Sequence, residues 1–147
     1  LLIRRAAEPF AGRWALPGGF VDEHEDLPHA ARRELHEETS LSLRRLVQLG
    51  AYGTPGRDPR GHTVSVVFLA ASPTGGEVGE AADDAAELRW FDANKPPKLA
   101  FDHALVLRDA RRRLAELARD REPFVQEFFG GRNRAVGLRL LRAARAR

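Results

Sequence analysis

The sequence predicts one α/β layered domain, and three observations predict it. The chain has 147 residues, about one domain's worth. Short strand-like runs are interleaved with segments of helical period, so sheets and helices must share a core. No apolar run approaches the roughly 20 residues of a membrane helix, and 43% hydrophobic with 31% charged residues suits a soluble fold.

The elements follow in order. Leu1 to Arg4 reads as a strand and Trp14 to Leu16 as a short extended piece, stopped by Pro17-Gly18-Gly19. Pro28 to Thr39 has helical period, with Leu27, Ala30, Ala31 and Leu35 as an apolar stripe, Asp26 as N-cap and Pro28 in the first turn. Leu46 to Tyr52 and Thr63 to Ala71 are strand-like, and apolar residues on both faces of the second predict a central, doubly buried strand. A turn-rich loop, 53–61, separates them. The loop from Ser72 to Ala86 carries four acids, Glu77, Glu80, Asp83 and Asp84. Glu87 to Phe91 is a further short strand. After Pro96-Pro97, Asp102 is placed to cap a long helix to about Arg119, with Leu107, Ala110, Leu114 and Leu117 facing the core. Trp14, Trp90 and Phe101 are assigned to the core, and His103 to the capping region of that helix.

The chain has no cysteine, which excludes disulfides, thiolate metal sites and a cysteine nucleophile, so any metal must be held by oxygen or imidazole. Residues 1–30 lack the pattern of a secretory leader, and the expected location is the cytoplasm. The net charge of +3 is unevenly spread: residues 1–107 carry 12 basic and 16 acidic side chains, and residues 108–147 carry 12 arginines and five acids. The basic segment 120–147 is expected to be a helical extension and not a separate domain. Leu138, Leu141 and Ala144 would fall on one side of such a helix, which points to docking on the domain or on a second subunit. No aromatic residue follows Phe129, so there is nothing to stack on bases, and nucleic acid is not the expected partner.

The informative stretch is Gly19 to Leu41. Glu34, Glu37 and Glu38 stand at i, i+3 and i+4 and project from one helix face. Like charges so placed repel, and a hard divalent cation, Mg2+ or Mn2+, would turn the repulsion into binding. Arg33, four residues before Glu37, can hold that carboxylate in its rotamer, and the Gly18-Gly19 turn lets backbone groups approach the same ion or its substrate. By composition alone the helix would equally be an ordinary amphipathic one with surface ion pairs.

The full spacing is more specific. Gly19, five residues, Glu25, seven residues, then Arg33-Glu34-Leu35-His36-Glu37-Glu38-Thr39-Ser40-Leu41 resembles the box of the Nudix hydrolase family. Ser40 stands where the family pattern has glycine, so a slightly strained helix end is expected there. Further segments, Trp14 to Val21, Pro55 to Gly61, Asp83-Asp84-Ala85 and Leu99 to Ala104, resemble the ADP-ribose pyrophosphatase branch and the related regulators that sense ADP-ribose.

The resemblance implies an α/β/α sandwich with a mixed central sheet and a carboxylate-bearing catalytic helix, spanning residues 1–119. It implies a nucleoside diphosphate linked to another moiety as substrate, foremost ADP-ribose cleaved to AMP and ribose 5-phosphate. Gly19, Glu34, Glu37 and Glu38 are the expected metal ligands, with Arg33 beside them. The base is expected to be Glu37 or an acid of the 72–86 loop, Glu77 or Glu80. Arg57 and Arg60 suit phosphate oxygens, as guanidinium groups pair with them in two-pronged fashion, and are as well suited to holding Asp58 in the loop. Gly18 is expected at the substrate. Two rival functions remain: an ADP-ribose-sensing domain of a transcriptional regulator, and a hydrolase of oxidised nucleoside triphosphates. Three intact carboxylates, and a segment of fewer than thirty residues after Arg119, weigh against the regulator. The third reading gains nothing from the Arg57 to Gly61 loop.

Overall fold

The computed structural model describes residues 1–43, 45–71 and 85–119. Glu77, Glu80, Asp83, Asp84 and the basic segment 120–147 lie outside the described residues.

Seven elements occur in chain order: β1 (Leu2–Arg5), β2 (Trp14–Ala15), α1 (Leu27–Thr39), β3 (Leu46–Tyr52), β4 (Ser65–Ala70), β5 (Ala85–Arg89) and α2 (His103–Arg119). They form two antiparallel sheets. In the first, β1 lies between β2 and β5, with Ile3 opposite Ala15 on one side and Leu88 on the other. In the second, β3 pairs with β4 from Leu46 and Ala70 to Tyr52 and Ser65, with an irregularity between Gln48 and Gly50. The parallel component expected of a mixed sheet is, among the described residues, the bridge between Trp14 and Leu99.

Each sheet has its own apolar cluster. Ile3, Ala15 and Ala100 are buried with Phe10, Leu88 and Phe101 around them. Leu69, Ala71 and Leu117 form the other, covered by Val47, Leu49, Ala110, Leu114 and Ala118, so α2 lies on the β3–β4 sheet. Helix α1 meets β4. No helix among the described residues is long and apolar enough to cross a membrane.

Helix α1 starts as its sequence dictates: Asp26 is extended, its Oδ1 accepts from the His29 N–H at 2.7 Å, and Pro28 occupies the first turn. The helix ends at Thr39, which is fully buried and donates its hydroxyl to the Leu35 carbonyl. Ser40 then adopts the left-handed conformation, φ 56°, with its N–H on the His36 carbonyl at 2.7 Å, as expected for a residue in the place of a glycine.

Four expectations are corrected. Among the described residues β4 pairs with β3 alone, so one flank lacks a neighbour, its valines are half-buried and Val64 is left exposed. Strand β5 begins and ends two residues earlier than expected, because Leu2, the first residue of β1, already pairs with Arg89. Phe91, past the ladder, packs edge-on against Trp14 at 4.7 Å. Asp102 leads into α2 through its carbonyl, which accepts from Leu105 N–H at 2.8 Å, whereas its carboxylate is turned to Arg57. Leu27 is exposed, so the core side of α1 rests on Ala30 and Thr39.

Candidate active site

The 3.6-residue period of α1 brings Arg33, Glu34, Glu37 and Glu38 to the side facing the Gly18–Glu25 segment. Arg33 is the centre of this arrangement. Its Nε and Nη2 donate to the two oxygens of Glu25 at 2.9 and 2.8 Å. Its Nη1 donates to Glu34 Oε1 at 2.8 Å and Glu37 Oε2 at 2.9 Å, and Nη2 also reaches the Phe20 carbonyl at 3.0 Å. Glu38 Oε2 accepts the Gly18 N–H at 2.8 Å. A Cβ at Gly19 would meet the Glu34 carboxylate, so a side chain there would have to push that carboxylate aside from its place on Arg33.

The electrostatics follow from these contacts. Hydrogen bonding to Arg33 holds the Glu25 carboxyl down to about 2, against the opposing effect of burial, and the same partners raise Arg33. The Glu34 side chain is 16% exposed and that of Glu37 44%, so Glu37 is the more open of the two carboxylates on Arg33. Sequence reasoning gave Arg33 one carboxylate to hold. By hydrogen bonds it holds three, with Asp22 as a further ion-pair partner at 3.6 Å, and Glu25, seen only as a spacing residue, is the one whose two oxygens both sit on its Nε–Nη2 edge. The signal was the fixed separation from Glu25 to Arg33, whose meaning needs the chain reversal at Asp22–Asp26 to be seen.

Among the described residues no group of three or more acidic or imidazole side chains is drawn together as a bound ion would draw them. Glu34 and Glu37 converge on Arg33 and Glu38 on the Gly18 amide. The donors nevertheless fit a hard divalent cation: they are all oxygen, they come from one rigid helix, and the bare Gly19 lets backbone lie directly against Glu34.

The two loop arginines part company. Arg57 is almost buried; it pairs with both oxygens of Asp102 at 2.9 and 2.7 Å and donates to Ser65 Oγ at 2.6 Å. Arg60 grips Asp58 through Nε and Nη2, the latter at 2.7 Å, and the bond holds the buried Asp58 carboxyl down to about 2. The Arg60 guanidinium also lies over the rings of Phe20, at 5.8 Å, and Phe101, at 5.5 Å. Arg60 thus reaches the Gly18–Phe20 segment, whereas Arg57 ties the loop to β4 and to the start of α2. His103 accepts the Leu16 N–H on Nδ1 at 3.0 Å, which leaves Nε2 to carry the proton, and burial pushes its pKa down to about 4.

Residues 1–114 match the NUDIX domain. The chain belongs to the Nudix family. Among its Nudix relatives, a protein named ADP-ribose pyrophosphatase from Methanocaldococcus jannaschii is 49% identical over 112 residues, covering 76% of this chain and 65% of that protein. The ADPR responsive transcriptional repressor NtrR of Acinetobacter baylyi is 36% identical over 118 residues, 78% of this chain and 47% of the repressor. The chain therefore spans between about half and two thirds of the length of these relatives. The Nudix domain of Shewanella oneidensis NrtR, solved as a complex with ADP ribose, superposes with a TM-score of 0.69 at 34% identity, over 77% of this chain and 75% of that one.

Proposed function

We propose that this Nudix chain hydrolyses ADP-ribose to AMP and ribose 5-phosphate, using Mg2+ or Mn2+ held by Glu34, Glu37, Glu38 and the Gly19 backbone. The observation that carries the reading is the Arg33 hub, which gathers Glu34 and Glu37 beside the Gly18-Gly19 turn while Glu38 is fixed on the Gly18 amide. The likeness to a relative named ADP-ribose pyrophosphatase supports the choice of substrate.

When bound, the cation supplies positive charge to the diphosphate and makes a water more acidic. The water's hydroxyl goes to one phosphorus, the bridging P–O bond breaks, and the other phosphate leaves with the bridging oxygen. Arg33 sets the carboxylate rotamers. Glu37, the more open carboxylate on Arg33, is the proposed acceptor of the water's proton, with Glu77 and Glu80 as the alternatives. Arg60 is the proposed phosphate contact, since among the described residues its Nη1 has no hydrogen-bond partner. Arg57 holds the loop that presents it, and Gly18 gives the substrate room at the turn. A chain without cysteine fits a reducing, cytoplasmic setting.

Release of AMP from ADP-ribose in Mg2+ tests the proposal, with NADH, diadenosine polyphosphates and oxidised dGTP as the comparison panel. AMP formed fastest from ADP-ribose is the expected result, and preference for oxidised dGTP would replace it with the sanitising reading. A second reading, an ADP-ribose-sensing domain, is favoured by the likeness to NtrR and to the NrtR domain. Tight ADP-ribose binding without turnover would select it.

A further inference from the structure

We propose that Phe20 is a positioning residue, whose exposed ring holds the Arg60 guanidinium at the Gly18–Phe20 turn and so sets how well a nucleoside diphosphate is bound. Phe20 is 70% exposed and belongs to neither apolar cluster, so its ring has no part in holding the core together. Its two ends engage different halves of the site. The carbonyl accepts from Arg33 Nη2 at 3.0 Å, and the ring lies 5.8 Å below the Cζ of Arg60. One residue therefore joins the carboxylate helix to the arginine loop.

Arg60 needs such a partner. Asp58 grips its Nε and Nη2 edge, which anchors the guanidinium but leaves rotation about that edge open. An aromatic face attracts the cation and restricts the plane, and two rings do so here. Phe101 is fixed, packed edge-on to Phe10 at 4.9 Å in the first cluster. Phe20 is the ring that belongs to the turn itself. The inference rests on the proposed role of Arg60 at the diphosphate.

The test compares the parent chain with Phe20→Leu and Phe20→Tyr, reading the Arg60 Nε–H signal by NMR and the steady-state kinetics of ADP-ribose at saturating Mg2+. An exposed cation–aromatic contact corresponds to about a two- to fivefold change in affinity. Phe20→Leu should raise KM by about that factor with kcat nearly kept and move the Arg60 signal as the ring current is lost; Phe20→Tyr should restore both. Melting temperatures should not differ, since no core contact is touched. An Arg60 signal or a KM that does not move in Phe20→Leu, or a Tyr variant as impaired as the Leu variant, overturns the inference and leaves the functional reading standing. A parent that neither binds nor hydrolyses ADP-ribose overturns the functional reading and this inference with it.

Discussion

Replacing Arg57 by methionine separates its two conceivable roles, because methionine keeps the apolar stem and removes the charge. Three hydrogen bonds are lost, two to Asp102 and one to Ser65, from a side chain that is 7% exposed. Breaking a fully buried pair costs about 3–5 kcal/mol by stranding the partner charge. Asp102 is 19% exposed, so water takes back part of its hydration and the lower end, about 3 kcal/mol, is expected. Urea denaturation followed by circular dichroism should show the loss as a lower midpoint at unchanged slope. Adding Asp102→Asn to Arg57→Met should cost little more, giving a coupling of about 2 kcal/mol in the cycle. Arg60→Met should differ by raising KM for ADP-ribose, on top of a stability loss of its own, since the Asp58 carboxylate it strands is 6% exposed. An Arg57→Met chain within about 0.5 kcal/mol of the parent but with KM raised tenfold would refute the argument and make Arg57 a direct substrate contact.

Ser40→Gly should stabilise the chain by roughly 0.5–1 kcal/mol, the left-handed penalty less the extra entropy of glycine, read as a higher melting temperature. Glu37→Gln should abolish turnover while the circular dichroism spectrum is kept, and Mg2+ should raise the melting temperature less than in the parent. His103 sits below its unfolded value, so the stability it confers is complete above about pH 6.5 and is lost as pH falls through about 4; His103→Gln should flatten that window. Glu25 and Asp58, both held at about 2, add a second loss as pH falls from about 4 to 2, which chemical denaturation across pH would resolve. Truncation after Gly131 should lower stability or change the oligomeric state seen by light scattering, with turnover per folded chain kept.

Much of the site could be read from the sequence because its contacts are local. Asp26 and Pro28 announce the start of α1, the Glu spacing fixes which side chains share a face, and Ser40 marks its end. The bounds of β3 were likewise legible, from an apolar run between two loops. What could not be read depends on partners far along the chain. Arg57 and Arg60 are alike in the loop, and only the approach of Asp102, 45 residues on, assigns one to the scaffold. Burial of His103 depends on the Leu16 amide, and the exposed flank of β4 on which strands pair. Phe20 stood only within the Trp14 to Val21 segment that carries the resemblance, and its ring's use became visible only with Arg60 above it.

The difference in span along the chain has a kinetic consequence. Arg33 finds its carboxylates within eight residues, and Glu38 finds Gly18 across 20. The ties of Arg57 to Asp102 and of Leu16 to His103 close loops of 45 and 87 residues. Short loops lose less chain entropy on closing, and contacts of low sequence separation form sooner. The contacts of the acidic face are therefore expected to close before the clamp of Arg57 on Asp102, and the tie of Leu16 to His103 after both. Loss of the late ties would leave a chain that still gathers its carboxylates but has yet to shape the wall against which a ligand is chosen.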